Sequence, residues 1–187
     1  PIVCSGVASP TDTDTAITVN LQAPVVVALP VGFGYDNTGL ANNSRGITLI
    51  GQGVTFTDQA ETQIRAGYEA LRIQNNGGTA NVTVNGSLEA TSRRPNFNTY
   101  AFEFMTDALA GDANISLNNV VGAYQAILAD QTGPGDLNLT MNNAASMLDT
   151  AVRASVAGAG DLNLAITGSI ATTNGIALNS RIKGTGD

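Results

Sequence analysis

The chain has no histidine and no tryptophan, and only one cysteine and one lysine, in 187 residues. Without histidine no Ser-His-Asp or Cys-His catalytic set can be assembled, and the sequence carries no zinc motif and no phosphate-binding loop. The single cysteine, Cys4, has no internal disulfide partner. It reads as a small residue of an N-terminal segment, or as a thiol that pairs with another chain or a missing segment. Lys183 is the only lysine, and the seven arginines stand singly apart from Arg93-Arg94, in a chain of net charge −7. Phosphate backbones need a clustered cationic face, so nucleic acid is excluded as a partner, and anionic membrane surfaces are disfavoured for the same reason. No apolar run approaches the ~18 residues that would suggest a spanning helix, so no membrane insertion by this segment is expected. Charged residues are 12% and aromatics 5% of the chain, which leaves Val, Ile, Leu and Ala to build the core. That composition suits thin repetitive layers better than a globule centred on large rings.

What is present is a repeat. Eight residues recur four times, as Thr79-Ala-Asn-Val-Thr-Val-Asn-Gly86, Asp112-Ala-Asn-Ile-Ser-Leu-Asn-Asn119, Asp136-Leu-Asn-Leu-Thr-Met-Asn-Asn143 and Asp161-Leu-Asn-Leu-Ala-Ile-Thr-Gly168. Their starts are 33, 24 and 25 residues apart (112−79, 136−112, 161−136), a period that marks a solenoid or array. Positions two, four and six are apolar and positions one, three and five mostly polar, the period-two pattern of a strand with one buried face. Val82, Ile115, Leu139 and Leu164 are expected to stack inside. The eighth position holds Gly86, Asn119, Asn143 and Gly168, residues that tolerate a left-handed backbone, so a corner is expected there.

A second strand recurs half a repeat out of step, beginning at Ala70, Ala101, Ala126, Ala151 and Ala177. Leu71, Phe102, Ile127, Val152 and Leu178 would point inward, with Arg72, Glu103, Leu128, Arg153 and Asn179 outside. Arg72 and Glu103 would pair across adjacent strands, worth about 0.2–1 kcal/mol. The polar, turn-forming stretch Ser92–Asn98 supplies an extra loop. Glycine-rich turns such as Asn76-Gly-Gly78, Gly133-Pro-Gly135 and Gly158-Ala-Gly160 separate the two strands, and a short third apolar element follows the corner. Three short strands per coil of about 25 residues is the geometry of an all-β parallel β-helix; the Gly, Asn and Thr content leaves no room for a helix in each repeat. Upstream, Ile17–Leu21, Val25–Leu29, Ile47–Leu49 and Val54–Phe56 read as strands, for about seven coils in total. Asp58 to Arg65 suggests a single helical turn, and Ser5 to Thr15 a loose segment. Residues 1–46 are taken as an irregular N-terminal segment and cap, and residues 47–187 as coils of which the last is incomplete.

The recurring Gly-Asp-Leu-Asn-Leu, the Gly-Ile-Ala-Leu start and the Gly/Asn/Thr-rich, cysteine-poor, weakly acidic composition resemble passenger domains of Gram-negative autotransporters and related large β-helical surface proteins. The resemblance covers about residues 47–187 and rests on pattern and composition. It implies a right-handed β-helix stalk at the outer-membrane surface or outside the cell, exported through a C-terminal barrel absent from this sequence. The start Pro-Ile-Val-Cys reads as processed or trimmed. Ala177-Leu-Asn-Ser180 opens a coil that Asp187 does not close. The expected partners are therefore further coils of a longer chain or a head-to-tail second copy, with surface glycans as a further partner.

Candidate chemistry is sparse. Asp112, Asp136 and Asp161 would form a row about 4.8 Å apart. Such a row would bind Ca²⁺, or each carboxylate would close its Gly-Asp turn by accepting from backbone N–H groups; the absence of Gly-Gly-x-Gly-x-Asp repeats favours the second. Asn81, Asn114, Asn138 and Asn163 form a parallel row, read as an amide ladder or as a carbohydrate-binding surface. The Asn-x-Ser/Thr sequons within these strands are by-products of the repeat. Arg181-Ile-Lys183 resembles a substrate-binding tripeptide of polygalacturonases, but their Asp pair and Gly-His-Gly element are missing. The expectation is a non-catalytic extracellular structural or adhesive module with no catalytic residue, cofactor or metal. The alternative is a carbohydrate-active β-helix enzyme, which would show a groove lined with Asp/Glu and Arg/Lys from several coils.

Overall fold

The structure, a computed structural model, describes residues 16–38, 44–93 and 99–185, together with the backbone of Ile2–Val3. Cys4, the segment Ser5–Thr15 and the centre of the Ser92–Asn98 loop lie outside the described residues. The short β1 (Ile2–Val3) precedes a first turn of β2 (Ile17–Asn20), β3 (Val25–Ala28) and β4 (Gly34–Asp36). The second turn holds β5 (Arg45–Gly51), β6 (Val54–Thr57) and β7 (Gln63–Ala66). Three turns of two long strands follow: β8 (Glu69–Asn75) with β9 (Gly78–Ala90), β10 (Tyr100–Thr106) with β11 (Ala110–Gly122), and β12 (Gln125–Gln131) with β13 (Leu137–Ser146). A sixth turn of β14 (Val152–Val156), β15 (Leu162–Ile166) and β16 (Ile170–Thr172) precedes β17 (Leu178–Ile182). The fold is thus an all-β solenoid, with no helix among the described residues, of about six turns and about 26 residues per turn.

Every strand pair is parallel and joins corresponding segments of successive turns. One sheet runs β2-β5-β8-β10-β12-β14-β17, and the other follows β1-β3-β6-β9-β11-β13-β15, with β4, β7 and β16 pairing alongside. The register matches the sequence repeat. Leu71 faces Phe102, which faces Ile127, then Val152, then Leu178. In the other sheet Phe56, Val82, Ile115, Leu139 and Leu164 form one column. Up to Val152 and Leu139 these side chains are buried in one continuous apolar core between the sheets, in which Phe104 stands between Ile73 and Ala129 of the neighbouring turns. Each fully buried large side chain contributes about 1.5–3 kcal/mol, and none could find that burial within a single turn.

The corners differ from expectation. In the three middle turns the second and third strands are one continuous strand, and neither Gly86, Asn119, Asn143 nor Gly168 adopts a left-handed backbone. The glycine at 86 answers to proximity instead: a Cβ there would collide with the Thr62 carbonyl of the preceding turn. The sheet bends by a register shift, since Leu117 faces Val84 while Asn119 faces Ser87. One extra residue on β9 therefore takes up the bend. The segment after Asp58 forms no helical turn. Gln59 to Thr62 close a tight turn through Thr62 N–H to Gln59 O (3.3 Å), with Glu61 at φ 70°, and Gln63–Ala66 pair with β4 and β9 instead. The 58–62 link is held by the Asp58 carboxylate, which accepts from the Asn85 and Gly86 N–H groups of the next turn.

Candidate functional site

Two outer faces carry the polar chemistry, and they are built on opposite principles. On the β8–β10 side, outward positions of successive turns bring Thr48, Arg72, Glu103, Leu128, Arg153 and Asn179 into one column. Arg72 Nε lies 3.1 Å from Glu103 Oε2, as the sequence suggested. Two residues that sequence reasoning missed complete a cluster. Glu69, one position before the repeated alanine, meets Arg45 Nε at 2.9 Å and Arg72 Nη1 at 3.9 Å, and the Arg45 guanidinium sits 5.5 Å from the centre of the Tyr68 ring. Both carboxylates are nearly covered, with side-chain exposures of 3% for Glu69 and 10% for Glu103. Burial, and then the neighbouring Glu103 charge, pushes Glu69 up to about 7, against the pull of Arg45 and Arg72. Burial also raises Glu103, with Arg72 and Arg45 opposing. Glu69 Oε2, Arg72 Nε and Glu103 Oε2 sit at ion-pair distance without hydrogen-bond alignment. The cluster is a self-compensated quartet in which both carboxylates are covered and faced by arginines, with neither presented to a ligand. A smaller ladder of the same kind places Arg65 between Asp36 (2.9 Å) and Glu89 (2.8 Å) of the turns on either side.

On the other sheet the outward rows of β9, β11 and β13 are mostly amides and hydroxyls in contact with solvent, with Asp112 at one end and the Asp36–Arg65–Glu89 ladder at the other. Asn114, Asn138 and Asn163 each donate from Nδ2 to the Oδ1 of the asparagine one turn earlier, at 3.1, 3.0 and 2.9 Å, with Asn81 at the start. The expected amide ladder is therefore formed. A second ladder, legible in the seventh position of the repeat but missed, runs beside it: Asn118 Nδ2 donates to Asn85 O (2.8 Å) and Asn142 Nδ2 to Asn118 Oδ1 (3.0 Å). Between the two lies a column of small hydroxyls, Thr57, Thr83, Ser116 and Thr140. A groove of about 600 Å³ follows the second ladder and is closed at one end by Gln59 and Ala60.

The aspartate row links successive turns and not the two arms of one Gly-Asp turn. Asp112 Oδ1 accepts from Asp136 N–H (3.0 Å) and Asp136 Oδ1 from Asp161 N–H (2.9 Å), so each carboxylate ties its turn to the next. Among the described residues no three Asp, Glu, Cys or His side chains converge where a metal ion could be held. Arg181 and Lys183 border a small cavity of about 90 Å³ with Arg153, Ser155 and Asn179. Asp130 accepts from the Ser155 hydroxyl of this lining at 2.6 Å.

Fold and faces together define a β-solenoid with one self-neutralised charged face and one regular amide-hydroxyl face, which agrees with the fold of β-helical passenger domains. No protein-family model, curated protein or solved structure matches the chain.

Proposed function

We propose that the chain is a non-catalytic β-helix module of a surface protein of a Gram-negative bacterium, of the autotransporter passenger kind, which presents its amide-hydroxyl face for adhesion. The observation that carries this reading is the division of labour between the faces. Of the carboxylates with raised pKa, which a glycosidase would need in contact with substrate, Glu69 and Glu103 are buried against arginines and Asp58 against backbone N–H groups. The outward rows of β9, β11 and β13 present mainly amides and hydroxyls repeated at the strand spacing, suited to binding and not to proton transfer. Incubation with neutral and acidic polysaccharides tests the reading. It expects no reducing ends and no unsaturated products, and sustained release of either would replace it with a carbohydrate-active enzyme.

A second reading rests on Ile166, Ile176, Leu178 and Ile182, which are exposed on the β15–β17 layer while their counterparts in earlier turns are buried. A layer with open strand edges and apolar side chains is a template for further coils or for a second copy, and head-to-tail addition does not close. Electron microscopy with the mass of the denatured chain checks it. Filaments built from a chain of 187 residues are expected from self-association, and a monodisperse monomer at all concentrations contradicts it.

A further inference from the structure

The groove beside the second amide ladder has a charge and a periodicity that select a ligand class. It is lined by Gln59, Asn85, Ser116, Asn118, Thr140 and Asn142, with no charged side chain. Of the two carboxylates that flank Gln59–Ala60 in the chain, Asp58 is buried and already committed to the Asn85 and Gly86 N–H groups, and Glu61 is exposed and outside the lining. A charged ligand would lose hydration there without gaining a counter-charge, and a polyanion would also face a protein of net charge −7. The groove's volume falls in the range of ligand clefts, about 300–1,000 Å³.

Its hydrogen-bonding capacity is unspent and repeats along the axis. Among the described residues the hydroxyls of Ser116 and Thr140 have no hydrogen-bond partner, and they belong to one column in register across successive turns. Asn118 and Asn142 each use one amide N–H on the ladder, and an amide carries a second. Donors and acceptors thus alternate at the strand spacing, about 4.8 Å, along a line parallel to the solenoid axis. A ligand that satisfies this line must be neutral, extended, and provided with hydroxyls along its length. No aromatic side chain lines the groove, so sugar rings would be held by their hydroxyl edges and not stacked.

We propose that this groove binds a neutral linear glycan laid along the solenoid axis, held by the Asn118–Asn142 amides and the Ser116 and Thr140 hydroxyls. The proposal deepens the adhesive reading and rests on it. Native electrophoresis of the full chain through gels containing β-glucan, mannan, xylan or dextran, with polygalacturonate as the anionic comparison, provides the test. Retardation by at least one neutral glycan is expected. It should fall at least tenfold in apparent affinity in Ser116→Trp/Thr140→Trp, which fills the groove from exposed positions, and weaken in Ser116→Ala/Thr140→Ala, which only removes the hydroxyls. Asn179→Trp on the opposite sheet should bind as the parent does, and far-UV circular dichroism should be the same for all. Absence of retardation in every neutral gel overturns the proposal, as does binding to polygalacturonate alone or undiminished binding by both groove variants. Product release is read in the same gels: a chain that neither binds nor cleaves removes the groove assignment only, whereas cleavage removes the non-catalytic reading itself.

Discussion

Glu69 is the residue at which the fold carries an internal electrostatic cost. Its carboxyl has an ordinary value of 4.5 and stands at about 7 in the folded chain, chiefly through burial. The native state therefore holds this proton more tightly than the unfolded state. Stability from this group is greatest below about pH 4.5, declines as pH rises to about 7, and is constant beyond. The span corresponds to roughly 3–4 kcal/mol, in the same direction as the raised Glu103 and Asp58. Glu69→Gln removes the titration, so the loss of Tm between pH 5 and pH 8 should shrink by at least half. An unchanged pH profile would contradict the assignment. In the core, Leu139 is buried in the column between Ile115 and Leu164. Leu139→Ala is expected to cost about 2–5 kcal/mol in urea unfolding. Leu139→Asp, which buries an unpaired charge, should leave no cooperative transition at neutral pH. Parent-like melting of the aspartate variant would show that this position is not interior.

At the scale of the element, several glycines at corners and turns are required by close backbone approach, whereas Gly32, Gly53 and Gly78 hold a left-handed backbone. Gly122 has no room for a Cβ, because the Gln125 carbonyl occupies that position where β11 passes into β12. Gly160 is confined in the same way by Gly135 of the preceding turn, and Gly158 by Gly133. Gly122→Ala should therefore destabilise by about 1–3 kcal/mol even though its backbone is not left-handed, a shift measurable by thermal melting; a neutral result would mean the corner is wider than described. This explains what the sequence did and did not disclose. Strand positions were legible because alternation and repeat agree, down to the Arg72–Glu103 pair and the Asn81–Asn163 ladder. The eighth-position corner was misread because glycine and asparagine have two uses, left-handed backbone and close approach, and composition does not separate them. The turn at Asp58 was misread because its hydrogen bonds go to the next turn, 27 residues away. Glu69 and the groove escaped for a related reason: each is assembled from residues of different turns whose spacing varies with loop length.

At the scale of the molecule, the solenoid converts one repeated segment into faces of different character. Inward columns give the core, one outward set gives buried charge ladders, and the other gives exposed amide and hydroxyl rows. A face of this kind is extended simply by adding turns, which suits a surface module whose contact grows with length. All of this depends on the turns being stacked in a single parallel register, and pulsed electron resonance tests that most directly. Thr18 and Asn179 are both exposed and stand at the ends of one column, through Thr48, Arg72, Glu103, Leu128 and Arg153. In a Cys4→Ser background, spin labels at these two positions are separated by six strand steps, a backbone distance of about 29 Å. Moving the second label from Asn179 to Arg153 removes one step. The account predicts a single narrow distance distribution near that value that shortens by about 5 Å on the move; a broad distribution, or a distance that does not follow the strand count, would contradict it.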